Sequence, residues 1–296
     1  MALQALLAKL QASGIQLRKS DGALAVSGGR GALDQSLVSE LRVHKAALLD
    51  MIQGEGWWSP PPIRPEMLTL VELNQAEIER IVAAVPGGAR NVQDVYPLAP
   101  LQEGIFFHHL LATEGDPYLQ GSLSRFDGRA SLDAYLGAMQ AVIDRHDVLR
   151  TAVVWEGLPE PVQVVWREAR LGVEEVELDP TGGDAATRLW ARFGPRSHRL
   201  DVRRAPMMRV HFARDGEGDG WVMLWQQHHL IGDHVSSDVF REEIRAHLRG
   251  RADELPAPLP FRNYVAQARL GVSRAEHEAY FRELLGDVDE PTAPFG

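Results

Sequence analysis

Trp221-Val222-Met223-Leu224-Trp225-Gln226-Gln227-His228-His229-Leu230-Ile231-Gly232-Asp233-His234 sets an apolar run directly against two adjacent histidines and a carboxylate. The apolar residues from Trp221 to Gln226 predict a strand. Phe240, Ile244 and Leu248 then recur at helical spacing, so the histidines fall in a loop between a strand and an amphipathic helix. A loop at a strand's end exposes a side chain to substrate while the sheet holds it still. An imidazole keeps a neutral ring nitrogen near pH 7, which makes His229 a candidate to take a proton from an attacking nucleophile. A core or surface histidine pair is the plain alternative. As a metal site the cluster is poor, because no HExxH pattern is present and His229 with Asp233 supplies only two ligands.

Outward from this stretch, Leu119 to Phe126, Pro161 to Trp166 and Met207 to Ala213 are further strand candidates. Leu132, Leu136, Met139, Val142 and Ile143 place an apolar stripe on a helix that begins after Ser131 and runs to Arg145-His146-Asp147. Without strict strand and helix alternation, the body is expected to be α+β, helices lying on a mostly antiparallel or mixed sheet. Two more segments carry histidines: Phe107-His108-His109-Leu110-Leu111-Ala112-Thr113-Glu114-Gly115-Asp116 and Arg145-His146-Asp147-Val148-Leu149-Arg150-Thr151. Taken alone they are a helix terminus with solvated charges and a helix C-terminus favouring cations. No P-loop, GxGxxG or GxSxG element appears, so nucleotide binding and serine-hydrolase chemistry find no support.

The 296 residues are 45% apolar and 24% charged, enough for a substantial core and without a sign of disorder. Zero cysteines exclude a disulfide scaffold and a thiol nucleophile, and fit a reducing compartment. With neither a bilayer-length apolar run nor a signal segment, no membrane role and a cytoplasmic location are expected. Residues 1–54 hold 6 of the 31 Lys and Arg and 4 of the 41 Asp and Glu, leaving 25 against 37 for the rest. An acidic body is unsuited to a phosphate backbone, so no nucleic-acid partner is expected. All three lysines, Lys9, Lys19 and Lys45, lie in this first piece, which marks it as a separate module.

That module shows Leu3, Leu6, Leu7 and Leu10 at helical spacing, then Ile15, Leu17, Leu24 and Val26 alternating around Ser20-Asp21-Gly22, then Leu37, Leu41, Leu48 and Ile52 on one helical face. This predicts an α-β-β-α unit. About 50 residues make a thin core, so the unit leans on a partner or on itself as a dimer. Its hairpin offers an edge to an extended peptide, with Arg18 and Lys19 placed to attract an acidic tail. An ordinary subdomain packed on the body is the alternative. Gly54-Glu55-Gly56-Trp57-Trp58-Ser59-Pro60-Pro61-Pro62, with Pro65 beyond, predicts a semi-rigid linker over 55–65 whose tryptophans dock on a neighbouring surface.

Tyr96-Pro97-Leu98-Ala99-Pro100-Leu101-Gln102-Glu103-Gly104, Arg145-His146-Asp147-Val148-Leu149-Arg150-Thr151 and His228-His229-x-x-x-Asp233 resemble, in order, the first three core motifs of non-ribosomal peptide synthetase condensation domains. The resemblance covers roughly residues 66–296. It implies a fold akin to chloramphenicol acetyltransferase, of which this chain would hold the N-terminal lobe without the second. It implies peptide-bond formation between donor and acceptor thioesters carried on the 4'-phosphopantetheine of upstream and downstream carrier proteins, with no cofactor bound directly. His229, His228 and Asp233 would then be the catalytic element, Asp233 fixing its loop through a salt bridge to Arg145, to Arg150 or to a cation of the second lobe, with Arg145, His146 and Arg150 in structural and positioning roles. His108-His109-Leu110, four residues and Gly115-Asp116 are similar to the extra motif of the dual epimerisation/condensation subgroup, which inverts the donor residue from L to D before joining it. Residues 1–54 resemble the docking domains of tubulysin-type synthetases, which implies that Ile15, Leu17, Arg18, Lys19, Leu24 and Val26 receive the C-terminal tail of an upstream synthetase. The family's third motif carries Gly after its Asp, where this chain has His234, so less backbone freedom is expected there. A stand-alone acyltransferase of the same superfamily and a plain L-specific condensation domain are the competing readings.

Overall fold

The computed structural model describes residues 6–7, 9–10, 13, 15–20, 23–27, 34–52, 56–57, 63–178, 183–196, 198–216 and 218–289. In the N-terminal piece, Leu6, Leu7, Lys9 and Leu10 are helical, followed by β1 (Gln16–Ser20), β2 (Ala23–Ser27), α1 (Gln35–Val43), α2 (Lys45–Met51) and β3 (Gly56–Trp57). The expected second helix is therefore two, separated at His44. Leu6, Leu10, Ile15, Leu17, Leu37, Leu41, Leu48 and Ile52 close one small core.

The strand order β2-β1-β3 changes the docking expectation. β1 pairs with β2 on one side and with β3 on the other, where Arg18 lies opposite Trp57 and Lys19 opposite Gly56. Two residues of the stretch expected to be linker thus complete this sheet, and residues 53–55 and 58–62, Trp58 among them, lie outside the described residues. Ile15 and Leu17 are buried in the core, while the Lys19 ammonium donates to the Leu49 carbonyl at 3.3 Å. The outer edge belongs to β2, where Leu24 and Val26 are half-buried.

The body begins with α3 (Gln75–Ala84) and β4 (Val92–Pro97), then α4 (Pro100–Leu111), β5 (Leu119–Phe126) and α5 (Arg129–Arg145). β6 (Thr151–Val154), β7 (Val162–Trp166), β8 (Gly172–Glu175), α6 (Ala185–Phe193) and β9 (Met208–Arg214) follow. It ends with β10 (Trp221–His228), α7 (His234–Leu248), α8 (Phe261–Leu270) and α9 (Arg274–Leu285). Two sheets result: β5-β10-β9-β8, antiparallel except for the parallel β8/β9 pair, and an antiparallel β4-β7-β6. The class is α+β, as expected. Among the described residues no helix is long and apolar enough to cross a membrane.

β10 is buried along its whole length because both faces are covered. Trp221, Met223 and Trp225 pack with Met139, Ile143, Phe240 and Ile244 of α5 and α7, while Val222 and Leu224 pack with Leu189 and Phe193 of α6. This explains an unbroken apolar run where a one-faced strand would alternate. The strand outlasts its apolar residues, since Gln227 and His228 still pair with Gln120 and Leu119 of β5. α5 starts at Arg129, earlier than expected, with Gly128 as its N-cap. The chain thus delivers the two histidines at the end of a strand buried along its whole length, between the start of β5 and the N-terminus of α7.

Candidate active site

His228 closes β10 with its side chain wholly enclosed. Its Nδ1 accepts the Leu230 amide at 3.1 Å, so its proton sits on Nε2 and is donated to Asp116 Oδ2 at 3.1 Å. Burial lowers its pKa, partly opposed by Asp116, and keeps the ring neutral. His109, in the last turn of α4, meets the same Oδ2 through Nδ1 at 2.5 Å, and Asp116 Oδ1 accepts the Tyr118 amide at 2.9 Å. Burial would raise the Asp116 carboxyl, yet the bonds from His109, His228 and the Tyr118 amide outweigh it and hold the pKa far below the carboxylate range. Gly115 makes this turn with φ of 61°, and a Cβ there would stand 2.6 Å from the Arg196 carbonyl oxygen.

Among the described residues, His109, Asp116 and His228 also bring potential metal-ligating atoms together. At 2.5 Å the His109 nitrogen and the carboxylate oxygen touch directly, closer than two ligands that share an ion at about 2.1 Å from each would stand. The triad is a hydrogen-bonded clamp.

His229, one residue on, faces a cavity of about 640 Å³ whose walls include His108, Tyr118, Asp233, Ser236, Phe261 and Tyr264. It opens a single 3-10 turn, His229–Ile231. The His229 amide donates to the Tyr118 carbonyl at 2.9 Å, and its Nδ1 donates to the Gly232 carbonyl at 3.0 Å. The carbonyl can only accept, so the Nε2 lone pair is left free and receives the Gln120 side-chain amide at 2.8 Å. This is the tautomer a general base requires. From the other side, Gln102 Nε2 holds the Leu230 carbonyl at 2.7 Å while forming a reciprocal amide pair with Gln163 at 3.0 Å.

Asp233 is not salt-bridged to Arg145 or Arg150. Its Oδ1 caps α7, accepting both the amide and the hydroxyl of Ser236 at 2.8 Å, and these bonds lower its pKa. An exposed carboxylate bonded to a helix N-terminus needs no buried cation. Arg145 and His146 instead reach Glu243 of α7, at 3.0 and 2.8 Å, and Arg145 also donates to the Pro256 carbonyl. Arg150 is buried against Gln93 and the Trp166 carbonyl. These three side chains fasten the frame around the loop and do not enter the cavity. His234 is the first residue of α7, so its position demands no glycine.

The extra histidines separate. His108 is exposed into the cavity beside His229, whereas His109 is 6% exposed and serves the clamp. Gln120 escaped the sequence reading because a glutamine in a strand carries no motif. Its position opposite Gln227 in the β5/β10 register is what reveals it.

A sequence profile of the condensation domain matches residues 92–293. Malpinin synthetase of Mortierella alpina is 50% identical over 234 residues, covering 79% of this chain and 3% of that protein. A linear gramicidin synthase of Brevibacillus parabrevis is 31% identical over 208 residues, 68% of this chain and again 3% of the relative. The chain therefore spans a small fraction of the curated relatives it matches. In fold it is similar to the EpoB cyclization-docking bidomain of Sorangium cellulosum, with a TM-score of 0.52 at 18% identity, covering 98% of this chain and 54% of that one.

Proposed function

The chain belongs to the condensation-domain family of non-ribosomal peptide synthetases, and from that premise we propose that it joins a carrier-bound donor thioester to a carrier-bound aminoacyl acceptor. The observation that carries the proposal is His229: a half-buried imidazole with Nδ1 committed to the Gly232 carbonyl and an unprotonated Nε2, bonded by the Gln120 amide that an incoming amine would displace, at a cavity large enough for an aminoacyl group. The acceptor's α-amine attacks the thioester carbonyl, a C–N bond forms, the C–S bond breaks, and the pantetheine thiol departs. His229 Nε2 orients the amine and takes its proton, which the thiolate recovers. Two arms held at one cavity supply effective concentration. A stand-alone acyltransferase would instead accept small acyl-CoA donors without carriers.

His108-His109-Leu110 and Gly115-Asp116 support the finer reading that the donor residue is inverted first. Epimerisation needs a base at the thioester Cα and a proton returned to the opposite face. His229 and His108 are the two imidazoles lining the cavity, which favours His108, rather than His109, as the second proton-handling group. The test loads the upstream carrier of the reconstituted synthetase with an L-ended peptidyl thioester in deuterated water and reads Cα exchange and product stereochemistry by chiral chromatography. A deuterated D-configured product is expected, and His108→Ala should depress exchange about 100-fold. Retention of L would leave a plain L-specific condensation domain, and absence of peptide product would sink the condensation proposal itself.

For the N-terminal piece we propose docking of an acidic C-terminal tail from an upstream synthetase, added as a strand at the outer edge of β2. Residues 1–54 carry a formal excess of two positive charges, against an acidic body. A second copy pairing edge to edge is the alternative occupant. Titration calorimetry with an acidic peptide should show salt-sensitive binding that Arg18→Glu with Lys19→Glu weakens at least tenfold. Unchanged heats would remove electrostatics from the account, and a concentration-dependent dimer without peptide binding would favour the second copy.

A further inference from the structure

Helix α4 turns Leu101, Gly104, Ile105 and His108 toward the cavity that holds His229, spaced i, i+3, i+4 and i+7 on one helical face. Gly104 is the unexpected member of this set. Glycine in a helix interior is destabilising relative to alanine, because it loses more backbone freedom on folding. A positive φ or a neighbour pressed against the backbone is the usual structural reason for it. Neither applies here: Gly104 lies within regular helix, is not among the glycines of positive φ, and a Cβ built on it would meet no atom within 4 Å.

The residue is exposed and belongs to the cavity wall, so the space its side chain would take is cavity space. At about 1.5 Å of rise per residue, Gly104 stands about 6 Å along α4 from His108, and Leu101 about 10 Å. At the reacting end, Tyr118 lies between His108 and His229, with ring centroids 6.0 and 6.2 Å away. At the N-terminal end of α4 the wall is apolar. Phe261 packs in one cluster with Ala99, the residue before the helix, and its ring lies 5.3 Å from that of Tyr264. Leu101 is 72% exposed and Tyr264 52% exposed, so this apolar surface is accessible. No Lys or Arg lines the cavity, and Asp233 is its one acidic residue.

We propose that Gly104 is a specificity-determining position, its missing side chain leaving room for a large apolar side chain of one of the two residues being joined. That the occupant is a substrate residue rests on the condensation reading. With its reacting carbon at His229, such a residue lays its side chain over Gly104 toward Leu101, Phe261 and Tyr264, where burial of apolar surface favours it. An acidic side chain would meet the Asp233 carboxylate with no cation to offset it. The side chain comes from one of two sources, a peptidyl donor, whose α-nitrogen is acylated, or the acceptor, whose α-amine is free.

The test needs no turnover. Ile231-Gly232 is the single Ile-Gly step in the 296 residues, so labelling with ¹³C-isoleucine and ¹⁵N-glycine isolates the Gly232 amide, in the cavity wall, as one resonance. Methylamides of leucine, alanine, aspartate and lysine are titrated in two forms, N-acetylated for the donor and with a free amine for the acceptor. In at least one form the leucine probe is expected to shift this resonance saturably and to bind at least about fivefold more tightly than the other three. Selectivity in the N-acetylated form identifies the donor as the source, and selectivity in the free-amine form the acceptor. Gly104→Leu should weaken the leucine probe at least about fivefold and leave the alanine probe within about twofold. Gly104→Ala should raise the thermal unfolding midpoint, because the fold itself gains nothing from the glycine. The selectivity of the parent and the midpoint of Gly104→Ala decide the matter if Gly104→Leu does not fold. Equal binding of the four side chains, tighter binding of aspartate or lysine, no saturable shift, equal losses of the leucine and alanine probes in Gly104→Leu, or an unchanged or lower midpoint in Gly104→Ala overturns the assignment. Selective binding of leucine in a chain whose complete synthetase forms no peptide would instead overturn the condensation reading and leave the apolar groove standing.

Discussion

Replacing His229 with alanine is expected to lower single-turnover peptide formation about 1,000-fold in the complete synthetase while leaving the fold intact. The imidazole is already in the tautomer that catalysis needs, with Nδ1 donating to the Gly232 carbonyl at 3.0 Å. Alanine removes both the proton acceptor and the group that aims the amine, and positioned general bases contribute roughly 10²- to 10⁴-fold. The loss of structure is small by comparison. The ring is half-buried, the backbone bond from its amide to Tyr118 survives, and Gln102 still holds the Leu230 carbonyl. Thermal unfolding of the variant should stay within about 1 kcal/mol of the parent. His229→Gln makes a useful companion, since it keeps a polar side chain toward Gln120 but cannot accept a proton at pH 7. More than a tenth of parental activity in either variant would exclude His229 as the base.

Asp116→Ala should produce the largest stability change in the molecule, about 3 to 5 kcal/mol by denaturant titration. One buried carboxylate accepts from His109 at 2.5 Å, His228 at 3.1 Å and the Tyr118 amide at 2.9 Å. Its removal strands donors that water cannot reach, and breaking a buried charged network costs more than the network contributes net. Because the folded state depresses the Asp116 pKa, its contribution is complete above the unfolded carboxyl value of about 3.9 and declines as pH falls below it. The gap between parent and variant should therefore be constant from pH 5 to 8 and narrow below pH 4. Condensation should fall as well, since the Tyr118 whose amide Asp116 holds also accepts the His229 amide. A variant within about 1 kcal/mol of the parent at pH 7 would show that the clamp is dispensable.

Much of the frame was legible because local pattern and tertiary environment agree. Leu119–Phe126 has the bounds its residues suggest, and β10 runs only two residues past its apolar stretch. Leu132, Met139, Val142 and Ile143 are the buried face of α5. Strands β4, β6 and β8 were missed. β6 and β8 have four residues each, and β4 carries an irregular register between Val92 and Asp94, so none repeats long enough to declare a period. The linker over 55–65 was misjudged at Gly56 and Trp57 because pairing with β1 is a long-range event invisible in a Gly-rich stretch.

The site divides along the same line. Residue types and spacing by themselves determined that His229, an imidazole able to accept a proton, stands in a loop between an apolar strand and an amphipathic helix, because strand, turn and helix are local and side-chain acidity is intrinsic. Which nitrogen of His229 carries the proton, why His109 is a clamp while its neighbour His108 faces the cavity, and why Asp233 caps α7 instead of meeting an arginine were decided only in three dimensions. Asp116 and His228 are 112 positions apart, Gln120 and His229 are 109 apart, and Gln102 and Leu230 are 128 apart. Hydrogen bonds at such separations depend on how β5, β10 and α4 come together, and no periodicity in the chain encodes that meeting.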